Sequence, residues 1–270
     1  MSNVEIAWLS DLHCGSPASI SLNPSNEVQE QLLDRMQDAR SWYGNKPDYT
    51  ILLGDLIDGL DKKSHDLDEH WLWKQCEDAA ALITEYWIPK KEIIVVSGTP
   101  YHTCTDGQDW EREVCVRLER NLLDKGLKKV KVSYRTKLKA IFNGWYRIEA
   151  RHKVGRSTVP YGRKTAPERY KYWNVINAAM RARRNQEVPS WPHLCVFAHV
   201  HYWGGAFDTA GSVMTLPCWQ ALGSLYGDTN CEGAIDVGMV KTVVGATEED
   251  GARSFGRIYD AGMVDRWEHK

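Results

Sequence analysis

A chain of 270 residues is long enough for one large domain or two small ones, and 43% hydrophobic with 26% charged residues is ordinary globular composition. A formal charge of -2 excludes a protein that coats nucleic acid by bulk charge. No run of about 18 apolar residues is present to span a membrane, so no membrane partner is expected.

The start of the chain up to His13 lacks the basic-then-apolar order of a secretory signal. The seven cysteines are odd in number and contain no Cys-x-x-Cys pair, so they are expected as buried free thiols in a reducing, cytoplasmic setting. Val4 to Leu9 is apolar enough for a buried strand and runs directly into Ser10-Asp11-Leu12-His13. After a Ser-, Pro- and Asn-rich loop over 15–26, Val28, Leu32, Met36, Ala39 and Tyr43 recur at helical spacing, and Gly44 to Pro47 ends that helix. Tyr49 to Leu53 is a second apolar strand, closed by Gly54-Asp55. Leu72, Cys76, Ala79, Ile83 and Trp87 mark a second helix, Ile93 to Val96 a third strand ending at Ser97-Gly98, and Val114, Leu118 and Leu122 a third helix.

Short apolar strands alternating with helices predict βαβ units and a largely parallel sheet. Ligands of such sheets bind beyond the carboxyl ends of the strands. Downstream, Lys129 to Phe142 and Trp145 to Ala150 read as successive strands, and Leu194 to Ala198 as another buried one. Val213 to Leu216, Ala234 to Val244 and Arg253 to Tyr259 read as antiparallel hairpins. Residues 153–190 are expected as an insertion with one short helix over Trp173 to Ala182, within a single domain spanning 1–270.

Chemistry-bearing residues fall at the predicted strand ends. They are Asp11-Leu12-His13, Gly54-Asp55-Leu56-Ile57-Asp58, Gly98-Thr99-Pro100-Tyr101-His102, Ala198-His199-Val200-His201, and a single His152. Each cluster alone has a bland reading, because Asp at a strand end commonly forms a turn or caps a helix. Together they are more specific, since adjacent parallel strands bring their terminal loops together. Mixed His and Asp donors suit Mn, Fe, Zn or Co better than Ca or Mg. A carboxylate flanked by nitrogen donors can bridge two cations, a pairing that generates a nucleophile at neutral pH and neutralises phosphate oxygens.

The order Asp-x-His, Gly-Asp-x-x-Asp, a Gly-led loop with His, a single His and a final His-x-His resembles the calcineurin-like metallophosphoesterase superfamily, over Asp11 to His201. The resemblance implies an α/β fold, a four-layer α-β-β-α sandwich of two mixed sheets with the metal site at the C-terminal strand ends. It implies a metal-dependent phosphoester hydrolase, and the basic, aromatic segment after His152 tilts that towards a phosphodiesterase or nuclease acting on DNA, RNA or a nucleotide. A phosphomonoesterase is the alternative, and a binding module that has lost catalysis a further one. It also implies two divalent ions, Mn first, with Fe, Zn, Co or Ni as alternatives. Asp11, His13 and His201 would hold the first, His152 and His199 the second, and Asp55 would bridge them. Asp58 would orient the loop or a histidine from behind. Two departures stand out. Ala198 replaces a usual Gly, and Thr99-Pro100-Tyr101-His102 replaces Asn-His after Gly98. Thr99 could then present its hydroxyl to the metal, and His102 could be a ligand or the general acid that protonates the leaving oxygen.

The segment from Lys153 to Arg184 carries nine Lys and Arg against one acid, Glu168. One reading is a basic rim for a polyanionic substrate, with Arg156 as phosphate clamp and Tyr161, Tyr170, Tyr172 and Trp173 stacking on bases. The other is a solvated helix face.

Overall fold

The computed structural model describes residues 2–60, 71–105, 107–155, 162–186, 188–223 and 235–260. In chain order the elements are β1 (Val4–Leu9), α1 (Glu27–Tyr43), β2 (Tyr49–Leu52), α2 (Leu72–Tyr86), β3 (Glu92–Val96), α3 (Pro100–Thr103), β4 (Cys104–Thr105), β5 (Gln108–Asp109) and α4 (Trp110–Asp124). There follow β6 (Lys131–Arg135), β7 (Leu138–Phe142), β8 (Tyr146–Ala150), α5 (Thr165–Asn185), β9 (Leu194–Phe197), β10 (Gly204–Asp208), β11 (Gly211–Thr215), β12 (Asp236–Val244) and β13 (Ala252–Asp260).

Two mixed sheets face each other. The first has the order β13-β12-β1-β2-β3-β6 and the second β10-β11-β9-β8-β7. In the first, β1, β2, β3 and β6 are parallel, and the β12–β13 hairpin adds antiparallel at β1. The apolar strands are apolar because both their faces are covered. Ala7 and Leu9 of β1, Leu52 of β2 and Ile93 and Val95 of β3 pack in a core with α1, α2 and α4. The alternate residues Ile6, Trp8, Ile51, Ile94 and Val96 pack instead between the sheets, against Ile148, Val196 and Met214. A third core, with Cys195, Phe197 and Val213, joins α5 to the second sheet through Ala166 and Tyr170. The layers are therefore α-β-β-α.

Four expectations need correction. The stretch from Lys129 to Phe142 holds two strands that belong to different sheets, because β6 ends the first sheet and β7 begins the edge of the second. The later strands are not all hairpins: β12 and β13 form one in the first sheet, but β11, antiparallel to β10, is parallel to β9 on its other side. The helix in the insertion is 21 residues long. Its inner face carries Pro167, Lys171, Ala178 and Ala182, so a lysine stands where the apolar period needed a hydrophobe. The Lys171 side chain is 1% exposed and its Nζ meets Asp208 Oδ2 at 2.6 Å, so its stem packs while a residue from β10 neutralises its charge. Finally, Cys104 is an exposed thiol, held outward on β4, whereas Cys14, Cys76, Cys115, Cys195 and Cys218 are buried and free. Cys231 lies outside the described residues.

Among the described residues no helix is long and apolar enough to cross a membrane.

Candidate metal centre

The loops after β1, β2, β3, β8 and β9 meet at one edge of the sandwich. A short backbone ladder holds the first two together: Asp11 N donates to Gly54 O at 3.0 Å, His13 N to Asp55 O at 3.0 Å and Cys14 N to Leu56 O at 3.1 Å. The third loop comes equally close. A Cβ on Gly98 would lie 2.2 Å from Asp55 Oδ1, and one on Gly54 would lie 2.5 Å from Gly98 Cα. Only glycine permits that approach at either position.

The backbone at these loops is strained in a consistent way. Asp11 (φ 51°), His13 (φ 47°), Asp55 (φ 51°), His199 (φ 71°) and His201 (φ 54°) are left-handed, five of the seven such non-glycine residues among those described. Each costs about 1–2 kcal/mol relative to a right-handed residue. The turn off the strand end re-aims each side chain into a shared centre, and strain of this kind gathers where function over-determines the backbone.

Seven of the singled-out residues converge. His201 Nε2 lies 3.2 Å from Asp11 Oδ1 and 3.4 Å from His13 Nε2. His152 Nε2 lies 2.9 Å from Asp55 Oδ2 and 3.8 Å from Asp11 Oδ1, and His199 Nδ1 lies 3.9 Å from Asp55 Oδ2. Three sets of donor atoms each fit within 4.8 Å: Asp11, His13 and His201; Asp55, His152 and His199; and His13, Asp55 and His102. His13 and Asp55 belong to two sets each, so the sets adjoin.

The donors fit a divalent cation. Asp11 Oδ1 and His152 Nε2 are buried, and their nearest polar neighbours are other members of the centre, His201 Nε2 at 3.2 Å and Asp55 Oδ2 at 2.9 Å, so both aim at the same enclosed space. The ring atoms turned away from the centre are held: His152 Nδ1 donates to Leu53 O at 2.6 Å and His102 Nδ1 to Asp58 O at 2.8 Å, while His13 Nδ1 lies 3.1 Å from Asp58 Oδ1. Such outer partners set the tautomer and leave Nε2 facing a metal. Asp58 thus stands behind His13 and His102. Thr99 donates from its backbone N at 2.6 Å and its hydroxyl at 2.8 Å to Asp55 Oδ1, so it holds the carboxylate in place. Arg156 and Tyr161 lie outside the described residues.

Burial by itself would raise the Asp11 carboxyl, but the charges of His201 and His152 outweigh it and hold the group at about 2. Burial opposes ionisation of Asp55 too, and His152 beside it drives its pKa well below the usual carboxylate range. His152, pushed down by burial, is raised to about 10 by the Asp55 and Asp11 carboxylates. The metal-free centre is thus a network of ion pairs with a proton on His152, which a cation must displace.

Glu111 was not anticipated from the sequence. It is fully buried on α4, its Oε2 accepts from Gly98 N at 2.6 Å and its Oε1 from Leu56 N at 3.2 Å, so one carboxylate ties the second loop to the third. Its pKa is raised to about 8, first by burial and then by the nearby Asp55 charge. A signal existed: Glu111 stands three residues before Val114 and seven before Leu118, on the stripe that α4 buries. An acid on an apolar stripe asks for a buried partner.

The aromatic residues of α5 divide. Tyr170 packs on Phe197 at a 5.2 Å centroid distance, carries the Arg151 guanidinium 3.8 Å above its ring and donates its hydroxyl to Glu149, so it is committed inside the fold. Tyr172 and Trp173 are exposed.

No family model matches the chain, and no curated protein does. Among solved structures it is similar to a novel archaeal phosphodiesterase, at 10% identity over 94% of this chain and 99% of that one, with a TM-score of 0.43. It is similar to a predicted phosphoesterase of Streptococcus pneumoniae TIGR4, at 12% identity over 95% and 99%, with a TM-score of 0.34. It is also similar to Vacuolar Protein Sorting 29 of Cryptosporidium parvum, at 11% identity over 96% and 100%, with a TM-score of 0.43. The chain resembles the calcineurin-like metallophosphoesterases in its motifs, and its two facing mixed sheets with the motif loops at one edge are the architecture that resemblance implied.

Proposed function

We propose that the chain is a metal-dependent phosphoester hydrolase with a dinuclear centre, acting on phosphodiesters of the nucleic-acid or nucleotide class. The observation that carries this reading is the convergence of seven His and Asp side chains into three adjoining donor sets, linked through His13 and Asp55. Asp11, His13 and His201 would hold one ion, His152 and His199 the other, with Asp55 shared; Mn is the first candidate and Fe, Zn, Co and Ni the alternatives. When bound, such ions supply a nucleophile at neutral pH and neutralise charge on the phosphoryl oxygens.

The chain's own residues do the positioning. Thr99 and Glu111 fix the Asp55 loop against the Gly98 loop. Asp58 orients His13 and His102. His102 keeps a proton on Nδ1 for Asp58 O, which leaves Nε2 for the centre, as a ligand or as the acid that protonates the leaving oxygen. His102→Ala should lower turnover about 10²–10⁴-fold if it removes a general acid. Metal analysis then separates the roles: full occupancy identifies an acid, lost occupancy a ligand.

The reading is tested by stripping the protein with chelator, restoring Mn(II) and comparing bis-p-nitrophenyl phosphate with p-nitrophenyl phosphate. Faster diester cleavage is expected. Faster monoester cleavage would make it a phosphomonoesterase, and no turnover with any divalent metal would make it a binding protein of this fold.

A further inference from the structure

Leu138, Tyr146 and Ile148 point into the core between the sheets, so the alternate residues of β7 and β8 point to the outer face of the second sheet. On that face a cavity of about 350 Å³ lies between the edge strand β7, its neighbour β8, α5 and residues 190–192, and no step above uses it. Its volume falls in the ~300–1,000 Å³ range of ligand sites. Lys137, Lys139, Arg147 and Arg181 line it against one acid, Glu149.

That acid is already answered. Glu149 is buried, lies 2.5 Å from Lys137 Nζ and accepts from the Tyr170 hydroxyl. Lys139 stands opposite Glu149 in the β7–β8 ladder, yet the carboxylate turns to Lys137. Among the described residues no acid pairs with Lys139, Arg147 or Arg181. Arg147 is held by uncharged partners: Nε donates to Trp191 O at 2.9 Å, and Nη2 lies 2.9 Å from His193 Nε2. Its guanidinium is therefore anchored while its charge stays open. A lysine on an edge strand also deters strand pairing, which accounts for Lys139 but for neither arginine. Three uncompensated cations around one cavity select an anion, and a fixed guanidinium matches the oxygens of a phosphate.

The strand register places this cavity relative to the metal centre. Strand β8 ends at Ala150, and His152 follows two residues later. Glu149 and Arg147 stand three and five residues before His152, about 10 and 17 Å along an extended strand. A single phosphodiester at the centre cannot reach the cavity, but a chain with a phosphate in every unit can occupy both. The path turns from the strand ends onto the outer face of the sheet, which suits a flexible single strand and not a stiff duplex. We infer that the cavity binds backbone phosphates of a single-stranded polynucleotide, several units away from the diester at the centre. It asks nothing of the bases. The inference rests on the hydrolase reading for the cleaved diester and on the cavity alone for the flanking phosphates.

Anisotropy titration of a fluorescein-labelled oligothymidylate of about twelve residues, in chelator and over a range of KCl, reads the flanking phosphates without turnover. Lys139→Ala/Arg181→Ala removes two exposed cations that have no acid partner among the described residues, so the variant should fold. Each single-strand phosphate contact contributes about 0.7 to the slope of log K against log salt, so the slope should fall by about 1.4 and low-salt affinity by roughly tenfold or more. Lys128→Ala/Lys129→Ala removes the same charge just before β6, at the strand ends opposite the metal loops, and should leave the slope as it was. No binding by the wild type, an unmoved slope in the cavity variant, or an equal loss in the Lys128/Lys129 variant would overturn the inference. So would poly-L-glutamate of matched charge displacing the probe as well as unlabelled oligothymidylate does, which would assign the cavity to an acidic protein segment. If the slope falls as expected but the Mn-loaded wild type leaves bis-p-nitrophenyl phosphate intact, the hydrolase reading fails and the phosphate site stands. If that diester is cleaved and the slope does not move, the phosphate site fails alone.

Discussion

Asp55→Ala should lose metal from both sites and reduce turnover by more than the ~10–100-fold that removing an outer partner costs. Asp55 belongs to two of the three donor sets, one with His152 and His199 and one with His13 and His102. Its loss takes the nearest carboxylate from His152 and His199 and leaves His152 only Asp11, at 3.8 Å. Asp55→Asn separates charge from shape. An amide oxygen still accepts from Thr99 N and Thr99 Oγ1, so the Gly98 loop stays docked, but the anion between the histidines is gone. We expect Asn to fold, with a thermal midpoint in chelator lowered by the loss of the buried pair with His152, and to behave like Ala in metal content and turnover. Wild-type turnover by either variant would refute a shared carboxylate. Retained metal with lost turnover would show that Asp55 acts on the reaction and not on binding.

Gly98→Ala should reduce turnover on the order of 100-fold, the effect of a misplacement of about 1 Å in a positioned site. The substitution adds one methyl and removes no reactive group. Its Cβ would sit 2.2 Å from Asp55 Oδ1 and 2.3 Å from Asp55 N, and backbone at that distance cannot yield without moving the loop. The Thr99 hydrogen bonds to Asp55 and the Glu111 hydrogen bond to Gly98 N must shift with it. Overpacking of this kind costs about 1–3 kcal/mol of stability, so the variant should still fold. Denaturant unfolding alongside steady-state kinetics checks both numbers. A variant with wild-type kinetics would show that the second and third loops have slack that their close packing does not suggest.

The strands that carry the centre were legible because they are short and apolar on both faces, and every polar residue right after such a strand has to sit in the loop beyond it. Asp11, His13, Asp55, His199 and His201 could be read that way, and His152 from its place after β8. Their left-handed backbone could not, since Asp and His favour that region only weakly; at Asp11, His13 and Asp55 the ladder between the first two loops and the approach of Gly98 hold the turn. The partners of Glu111, the length of α5 and strand β10 were also hidden. Each depends on a partner far along the chain, Gly98 for Glu111 and Asp208 for Lys171, while β10 opens on two glycines that give no apolar alternation. The sequence by itself determined the alternating architecture, the residue types at the strand ends and hence the chemistry available. Only the tertiary structure decided which donors share a set, which sheet each later strand joins and which charges are buried in pairs, because hydrogen bonds and ion pairs between distant segments form only after the sheets have packed.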